Sequence, residues 1–363
     1  MKEFKLPFKV KRPILACGAD MKGAFAIAKG DTAFLEDGFG DLGELDNFTR
    51  YESAIRKCVK SLRVMPKIIA CDLHPGYFST RFAENYTLHA IRYTLLKIQH
   101  HEAHIASAIL DNDIKGTVIG VAFDGTGFGT DGNIWGGEFL AGSLKGFKRA
   151  AHLKYIPMPG AETAVREPWR MAASYLYAAY GSKFLKLNID FVKSLDKKKW
   201  TVIKAMIDKK LNSPLTSSAG RLFDAVGSLV FAQNTVRSEA ELPIALEKIA
   251  TLSCVDRYSF EKMIKGIVED LSKGLGAPTI SAKFHNTVAA MIAQTSMELS
   301  KKFKTKKVVL SGGVFQNKYL TKRASSMLEE RGLEVFTHSR FETNDSAIPI
   351  GQIAIAATRN ICV

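Results

Sequence analysis

Two stretches of this chain repeat one plan, and that duplication limits the folds open to it. The first runs from an apolar segment, Pro13–Cys17, through a turn at Gly18-Ala19-Asp20-Met21-Lys22-Gly23 to a second segment, Ala24–Ala28. A tight turn at Lys29-Gly30-Asp31 then leads to a third segment ending at Leu35. The second stretch has an apolar run Thr117–Phe123, a glycine-rich turn, a strand Ile134–Ala141, a turn near Lys145-Gly146 and a strand to Ile156. Each reads as a strand meander followed by helical material. The likeness is one of architecture rather than of close sequence. Two such halves predict an α/β protein of two related lobes with a cleft between their turns. A chain of 363 residues has the length for two lobes rather than one.

Between the meanders, Leu45, Phe48, Ile55, Val59 and Leu62 recur at helical spacing, while Lys67–Asp72 and Leu95–Ile98 read as short buried strands. The second half reads as mainly helical, over 161–180, 195–212, 219–234, 238–249, 257–272 and 283–303. A strand Lys307–Ser311 and a turn Gly312–Asn317 then open another helix. The expected organisation is a linker over 1–11, an N-terminal lobe over 12–114, and a C-terminal lobe over 115–363 carrying a helical insertion.

Composition narrows the class. The five cysteines (Cys17, Cys58, Cys71, Cys254, Cys362) show no Cys-x-x-Cys spacing, which argues against a structural zinc site and a disulfide framework and suits a reducing cytosol. No apolar run reaches the roughly 18 residues of a membrane span, and Met1–Pro7 has no signal-peptide core. A cytoplasmic location is expected. The net charge of +15 gathers at Lys197–Lys199, Lys209–Lys210 and Lys301–Lys307. A single aromatic, Phe303, is interleaved among them, so they read as solvated helix faces or an acidic protein's docking surface rather than as a nucleic-acid site.

The chemistry concentrates between Gln99 and Glu138. His100 and His104 stand one helical turn apart in a segment, His101–Leu110, that favours helix, so both imidazoles leave the same face within reach of one metal ion. Asp124 ends the apolar run before it, and Asp345 is a loop carboxylate ahead of a helix starting near Ile350. Two imidazoles with two carboxylates suit Fe(II), Zn or Mn better than Mg. His101 and Glu102 face elsewhere and read as supporting or solvated groups. The bare backbone of Gly125, Thr126 and Gly127 is open to a phosphate.

Other motifs keep two readings. Ser311-Gly312-Gly313 suits either a nucleotide's close approach at a helix N-terminus or ordinary tight packing. Asp224, isolated among apolar residues, is either a surface acid or an acceptor for ribose hydroxyls. Arg166-Glu167-Pro168-Trp169-Arg170 offers two guanidinium forks for carboxylate or phosphate, or a salt bridge at a helix start. The pieces point to a metal-assisted enzyme acting on a nucleotide.

Taken together, the motifs resemble a known family. Gly18–Lys22, Asp72–Thr80, Gln99–His104, Phe123–Gly127, Arg166–Met171, Leu215–Val226, Gly312–Asn317 and Asn344-Asp345 resemble, in family order, the C-terminal carbamoyltransferase domain of the HypF hydrogenase-maturation family. The resemblance covers nearly the whole chain from about residue 6. It implies a two-lobed actin- and sugar-kinase-like fold with duplicated ribonuclease-H-like lobes. It also implies transfer of the carbamoyl group of carbamoyl-adenylate to the C-terminal cysteine of a HypE-like partner, with release of AMP. By match, the catalytic metal ligands are His100, His104, Asp124 and Asp345; Fe(II) or Zn is the expected ion. Gly125, Thr126 and Gly127 would face phosphate, Gly312, Gly313, Gln316 and Asn317 the adenosine of the carbamoyl-adenylate or ATP/AMP, and Asp224 the ribose. Arg166, Glu167 and Arg170 are the expected substrate-binding residues.

The family's upstream acylphosphatase, zinc and adenylate-forming modules are not in this sequence. The resemblance therefore implies transfer of an adenylate supplied by a separate domain or protein. Ser346-Ala347 replaces a usual Gly-Gly after Asn-Asp, and Ala161-Glu162 a usual Gly-Asp. Competing expectations share the cleft but not the outcome. They are threonylcarbamoyl transfer to tRNA, carbamoyl transfer to a small-molecule hydroxyl, and a non-catalytic nucleotide-binding scaffold.

Overall fold

A computed structural model describes residues 1–88, 93–250 and 260–359. The first lobe comprises β1 (Lys2–Ala16), β2 (Phe25–Glu36), α1 (Leu45–Ser61), β3 (Ile68–Asp72), α2 (Phe78–Leu88), β4 (Thr94–Ile98) and α3 (His100–Asp111). The second opens with β5 (Val118–Phe128), β6 (Ile134–Ser143), β7 (Gly146–His152) and β8 (Ile156–Pro157). A helical tract follows: α4 (Thr163–Arg166), α5 (Trp169–Tyr180), α6 (Asp190–Ser194) and α7 (Lys197–Asp208), then, after a short β9 (Leu215–Thr216), α8 (Ala219–Phe231), α9 (Glu241–Ile249), α10 (Phe260–Ser272) and α11 (Ala277–Phe303). The chain closes with β10 (Lys307–Ser311), α12 (Lys318–Glu329), β11 (Glu334–Phe336) and α13 (Ile348–Arg359). The expected segment 257–272 begins outside the described residues, as do Cys254 and Cys362; Cys17, Cys58 and Cys71 are free. Among the described residues, no helix is long and apolar enough to cross a membrane.

The two sheets are variants of one design. In the second, β7, β6 and β5 form an antiparallel meander and β10 and β11 add in parallel beyond β5. In the first, β2 and β1 pair antiparallel, and β3 and β4 add in parallel beyond β1. Each sheet thus has a switch point where its order reverses, β1/β3 in one lobe and β5/β10 in the other. Ligands of α/β sheets lie at the carboxyl ends of strands flanking such points.

Three features differ from expectation. Residues 1–11 are not a linker: Lys2–Lys5 pair with Thr32–Leu35, so β1 runs from Lys2. Lys29-Gly30-Asp31 is not a turn, because Gly30, at φ +61°, sits at a register shift inside β2. A glycine at positive φ serves a bulge as readily as a turn. The third meander strand is therefore the far end of β2. Likewise β5 runs on through Gly125–Gly127, with its register shift between Phe123 and Gly127.

Helix α3 lies between the lobes, and 11 of its 12 residues are buried. Ala103, Ala106 and Leu110 pack with the first sheet and α13, while Ile105, Ala108 and Ile109 pack on Val118, Ala122 and Val309 of the second. Alanine and glycine allow the close approach: a Cβ on Gly351 of α13 would stand 1.9 Å from the Ala103 carbonyl oxygen. Although last in the chain, α13 joins the first lobe's core, and Gln352 exchanges two hydrogen bonds, 2.8 and 3.0 Å, with the backbone of Gly18.

Candidate metal centre and nucleotide cleft

Between the lobes α3 contributes two imidazoles, and β5 and the turn ahead of α13 one carboxylate each. The Gln99 side chain caps α3 by accepting from Glu102 N–H at 3.0 Å, which fixes where the helix starts and hence the direction of its histidines. His100 and His104 are fully buried. His100 Nε2 stands 3.2 Å from Asp124 Oδ2 and 3.6 Å from Asp345 Oδ1; His104 Nε2 stands 3.3 and 3.4 Å from the same two atoms. One ligand atom from each of the four lies within 4.8 Å of all the others. Asp124 arrives from β5 at the second lobe's switch point, and Asp345 from the turn ahead of α13.

The surroundings hold these groups in place. Asp72, buried at the end of β3, bonds His100 Nδ1 at 2.7 Å, leaving Nε2 to face the carboxylates. Gly313 N–H donates to Asp124 Oδ1 at 3.0 Å, so the other oxygen is the one turned to the histidines. His104 Nε2 has two carboxylates nearby yet no aligned hydrogen bond. An imidazole lone pair and two carboxylate oxygens that converge on a point, instead of pairing, fit a divalent cation there. The donor set suits Zn or Fe(II), and the Asp72–His100 contact is the usual outer support of a ligating histidine.

Electrostatics agree. Burial disfavours a charged His100, but Asp345, Asp72 and Asp124 outweigh it and hold its pKa well above the ordinary histidine value. Burial would raise Asp124, yet His100 and His104 keep it well below the carboxylate range. Asp345 is lowered by the same two histidines against its burial. A ligating imidazole is neutral, so a metal bound here competes with protons for these nitrogens.

A cleft of about 470 Å³ opens from this centre. Asp124, Gly125, Thr126, Asp224, Gly313, Gln316, Asn317 and Asp345 line it, as the sequence reading grouped them. Two of the grouped glycines serve elsewhere. A Cβ on Gly127 would meet the His101 ring at 2.4 Å, and one on Gly312, at φ +104°, would meet the Phe123 carbonyl oxygen at 2.3 Å. Both are glycines because neighbours crowd them. Arg166, Glu167 and Arg170 are not among the lining residues: Arg166 is exposed near Glu162, and Arg170 pairs with Glu167 at 2.6 Å. His101 is buried, accepting at Nδ1 from Gln99, and Glu102 pairs with Arg359.

Three contributors escaped the sequence reading as site residues. Asp72 sat in a quoted motif without a role; its signal was an acid closing a buried strand. Arg221 lines the cleft three residues before Asp224, where their side chains pair at 3.0 Å. Asp224 is buried, which raises its pKa against the pull of Arg221, so it is no surface acid. His285 of α11 accepts from Asn317 Nδ2 at 2.8 Å while its own Nδ1–H donates to the Ser281 carbonyl at 2.8 Å. Asn317 in turn caps α12 by accepting from Leu320 N–H.

Comparison with known proteins shows the family. A family described as carbamoyltransferase, Kae1-like domain, second subdomain matches residues 120–352, and one described as HypF Kae1-like domain matches residues 9–111. A Cupriavidus necator protein named carbamoyltransferase HypF homolog is 31% identical, over 95% of this chain and 91% of its own length. The Synechocystis carbamoyltransferase HypF is 32% identical over 98% of this chain but 49% of its own length. The chain thus spans about half the length of most curated relatives it matches. A solved full-length HypF in a phosphate- and nucleotide-bound form superposes with a TM-score of 0.91 at 37% identity, over 98% of this chain and 57% of that one. For the T. kodakarensis HypF crystal structure, the TM-score is 0.90 at 29% identity, over 99% of this chain and 49% of that one. The chain belongs to the HypF carbamoyltransferase family.

Proposed function

We propose that this chain transfers the carbamoyl group of carbamoyl-adenylate to the C-terminal cysteine of a HypE-like acceptor, releasing AMP. The observation that carries the reading is the convergence of His100, His104, Asp124 and Asp345 at one end of a cleft whose other walls suit a nucleotide. The acceptor thiolate attacks the carbamoyl carbon, a C–S bond forms, the bond from that carbon to phosphate oxygen breaks, and its electron pair leaves with AMP. The thiol proton passes to solvent. No nucleophile is needed from the chain itself.

Its own residues bind and orient. The Gly125-Thr126 backbone faces the phosphate, Asp224 accepts from ribose hydroxyls, and Gln316 and Asn317 face the adenosine. Asp124 stays ionised and turned to the reacting end because Gly313 N–H and the histidines hold it there. His100, His104, Asp124 and Asp345 would hold a divalent ion, which when bound would supply Lewis-acid stabilisation of charge developing on the substrate oxygens. The adenylate-forming step is assigned to a separate domain or protein.

The test is incubation of the purified chain with carbamoyl-adenylate labelled in the carbamoyl carbon, with either a cysteine-tailed HypE or tRNA as acceptor. Label on HypE with equimolar AMP supports the assignment. Label on tRNA alone, or nucleotide binding with no transfer to either, overturns it in favour of the tRNA-modifying or scaffold reading.

A further inference from the structure

The cleft holds a buried cation that the roles above leave unused. Arg221 has a side chain 4% exposed, and its Nε and Nη1 donors have no hydrogen-bond partner. Leaving buried guanidinium donors unpaired is costly, and such a group marks the place of an anion. One edge is already engaged, with Nη2 3.0 Å from Asp224 Oδ2. The bulged strand lies against this same Nη2: a Cβ on Gly125 would stand 3.7 Å from it and 3.6 Å from Glu239 Oε1, and one on Gly220 would stand 2.8 Å from Gly125 Cα. Ser218 Oγ, which caps α8 by accepting from Arg221 N–H at 3.0 Å, also bonds the Asp124 and Gly125 carbonyls. The order along the wall is thus Asp224, Arg221, Gly125, Asp124.

We infer that Arg221 is the residue that recognises the 5′-phosphate of the bound nucleotide. The inference rests on the nucleotide reading of the cleft, with Asp224 at the ribose. A nucleoside with its ribose at Asp224 and its reacting group at the quartet has its phosphate between them, opposite Arg221. The charge balance favours the same place. Asp124, Asp224, Glu239, Glu247 and Asp345 line the cleft against Arg221 and Lys22, so a phosphate entering without a cation meets net repulsion. A planar fork with spare donors suits phosphate, whereas an ammonium supplies only a point charge.

The alternative is that Arg221 only props Asp224. Calorimetric titration of adenosine and of AMP separates the two. Arg221→Met is expected to weaken AMP by tenfold to a hundredfold, the range for a charge-assisted contact of about 1.5–3 kcal/mol, with adenosine changed less than about threefold. Asp224→Asn is expected to weaken both alike, and Arg221→Lys to keep part of the AMP preference. Parallel loss of adenosine and AMP in Arg221→Met, or unaltered AMP affinity, overturns the inference. If Arg221→Met does not fold, Arg221→Lys decides: it must lose AMP affinity while holding adenosine. A wild-type chain that binds neither compound sinks the reading of the cleft itself. Wild-type preference for AMP with no carbamoyl transfer leaves the Arg221 assignment standing alone.

Discussion

Replacing Asp72 tests whether the metal centre is built as a layered site or is a chance meeting of four side chains. Asp72 touches none of the space between the ligands. Its Oδ2 holds His100 Nδ1 at 2.7 Å and its Oδ1 accepts from His74 N–H at 2.9 Å, so the carboxylate is locked at both ends. Asp72→Ala leaves a buried Nδ1–H without an acceptor, frees the ring to turn and removes a negative charge behind a ligand. Outer partners of this kind are worth about 10–100-fold in metal affinity, or about 1.4–2.8 kcal/mol. Asp72→Asn keeps an acceptor for Nδ1–H and loses only charge, so it should fall nearer the tenfold end. The assay is chelator-buffered Zn titration with metal content read by elemental analysis, alongside AMP binding, which should stay within about threefold. Equal Zn affinity in Asp72→Ala and wild type, with both folded, would refute the layered site.

Two further outcomes follow from the same structure. Burial holds the His285 pKa down to about 4, against about 6.5 when unfolded, so the unfolded chain binds the extra proton between those values. Stability should therefore rise from pH 4 to 6.5 by about 3 kcal/mol from this group, and His285→Gln should flatten that slope in denaturant titrations across the window. In Gly351→Ala, the new Cβ meets the Ala103 carbonyl oxygen at 1.9 Å, so α13 must shift off α3. A loss of about 1–3 kcal/mol or more in thermal unfolding is expected, with reduced metal affinity because α3 carries both histidines; an unchanged melting temperature would contradict the packing.

Much of this was legible from residue spacing. Two histidines one turn apart, an acid closing a buried strand and a loop acid before a helix converge as the pattern implied, and the duplicated sheets follow from the repeated apolar runs. What spacing could not separate were conformations that share a residue type. Gly30 and Gly125–Gly127 read as turns, yet glycine also serves the bulges that carry β2 and β5 onward. Gly127 and Gly312 are small for the sake of His101 and Phe123, contacts between segments distant in the chain. Polar Lys2–Lys5 looked like a linker because an edge pairing with β2 needs no apolar run. Arg221 and His285 were invisible as site residues for a related reason. A lone arginine or histidine on a helix reads as surface until tertiary packing shows both buried.

Counting metal in the purified chain reaches the central claim most directly. After dialysis against Zn or, anaerobically, Fe(II), the wild type should retain one ion per chain at the quartet, located by its anomalous scattering, and His100→Ala/His104→Ala should retain none while still melting cooperatively. Stoichiometric metal in the folded double variant, or an ion sited away from Asp124 and Asp345, would contradict the claim.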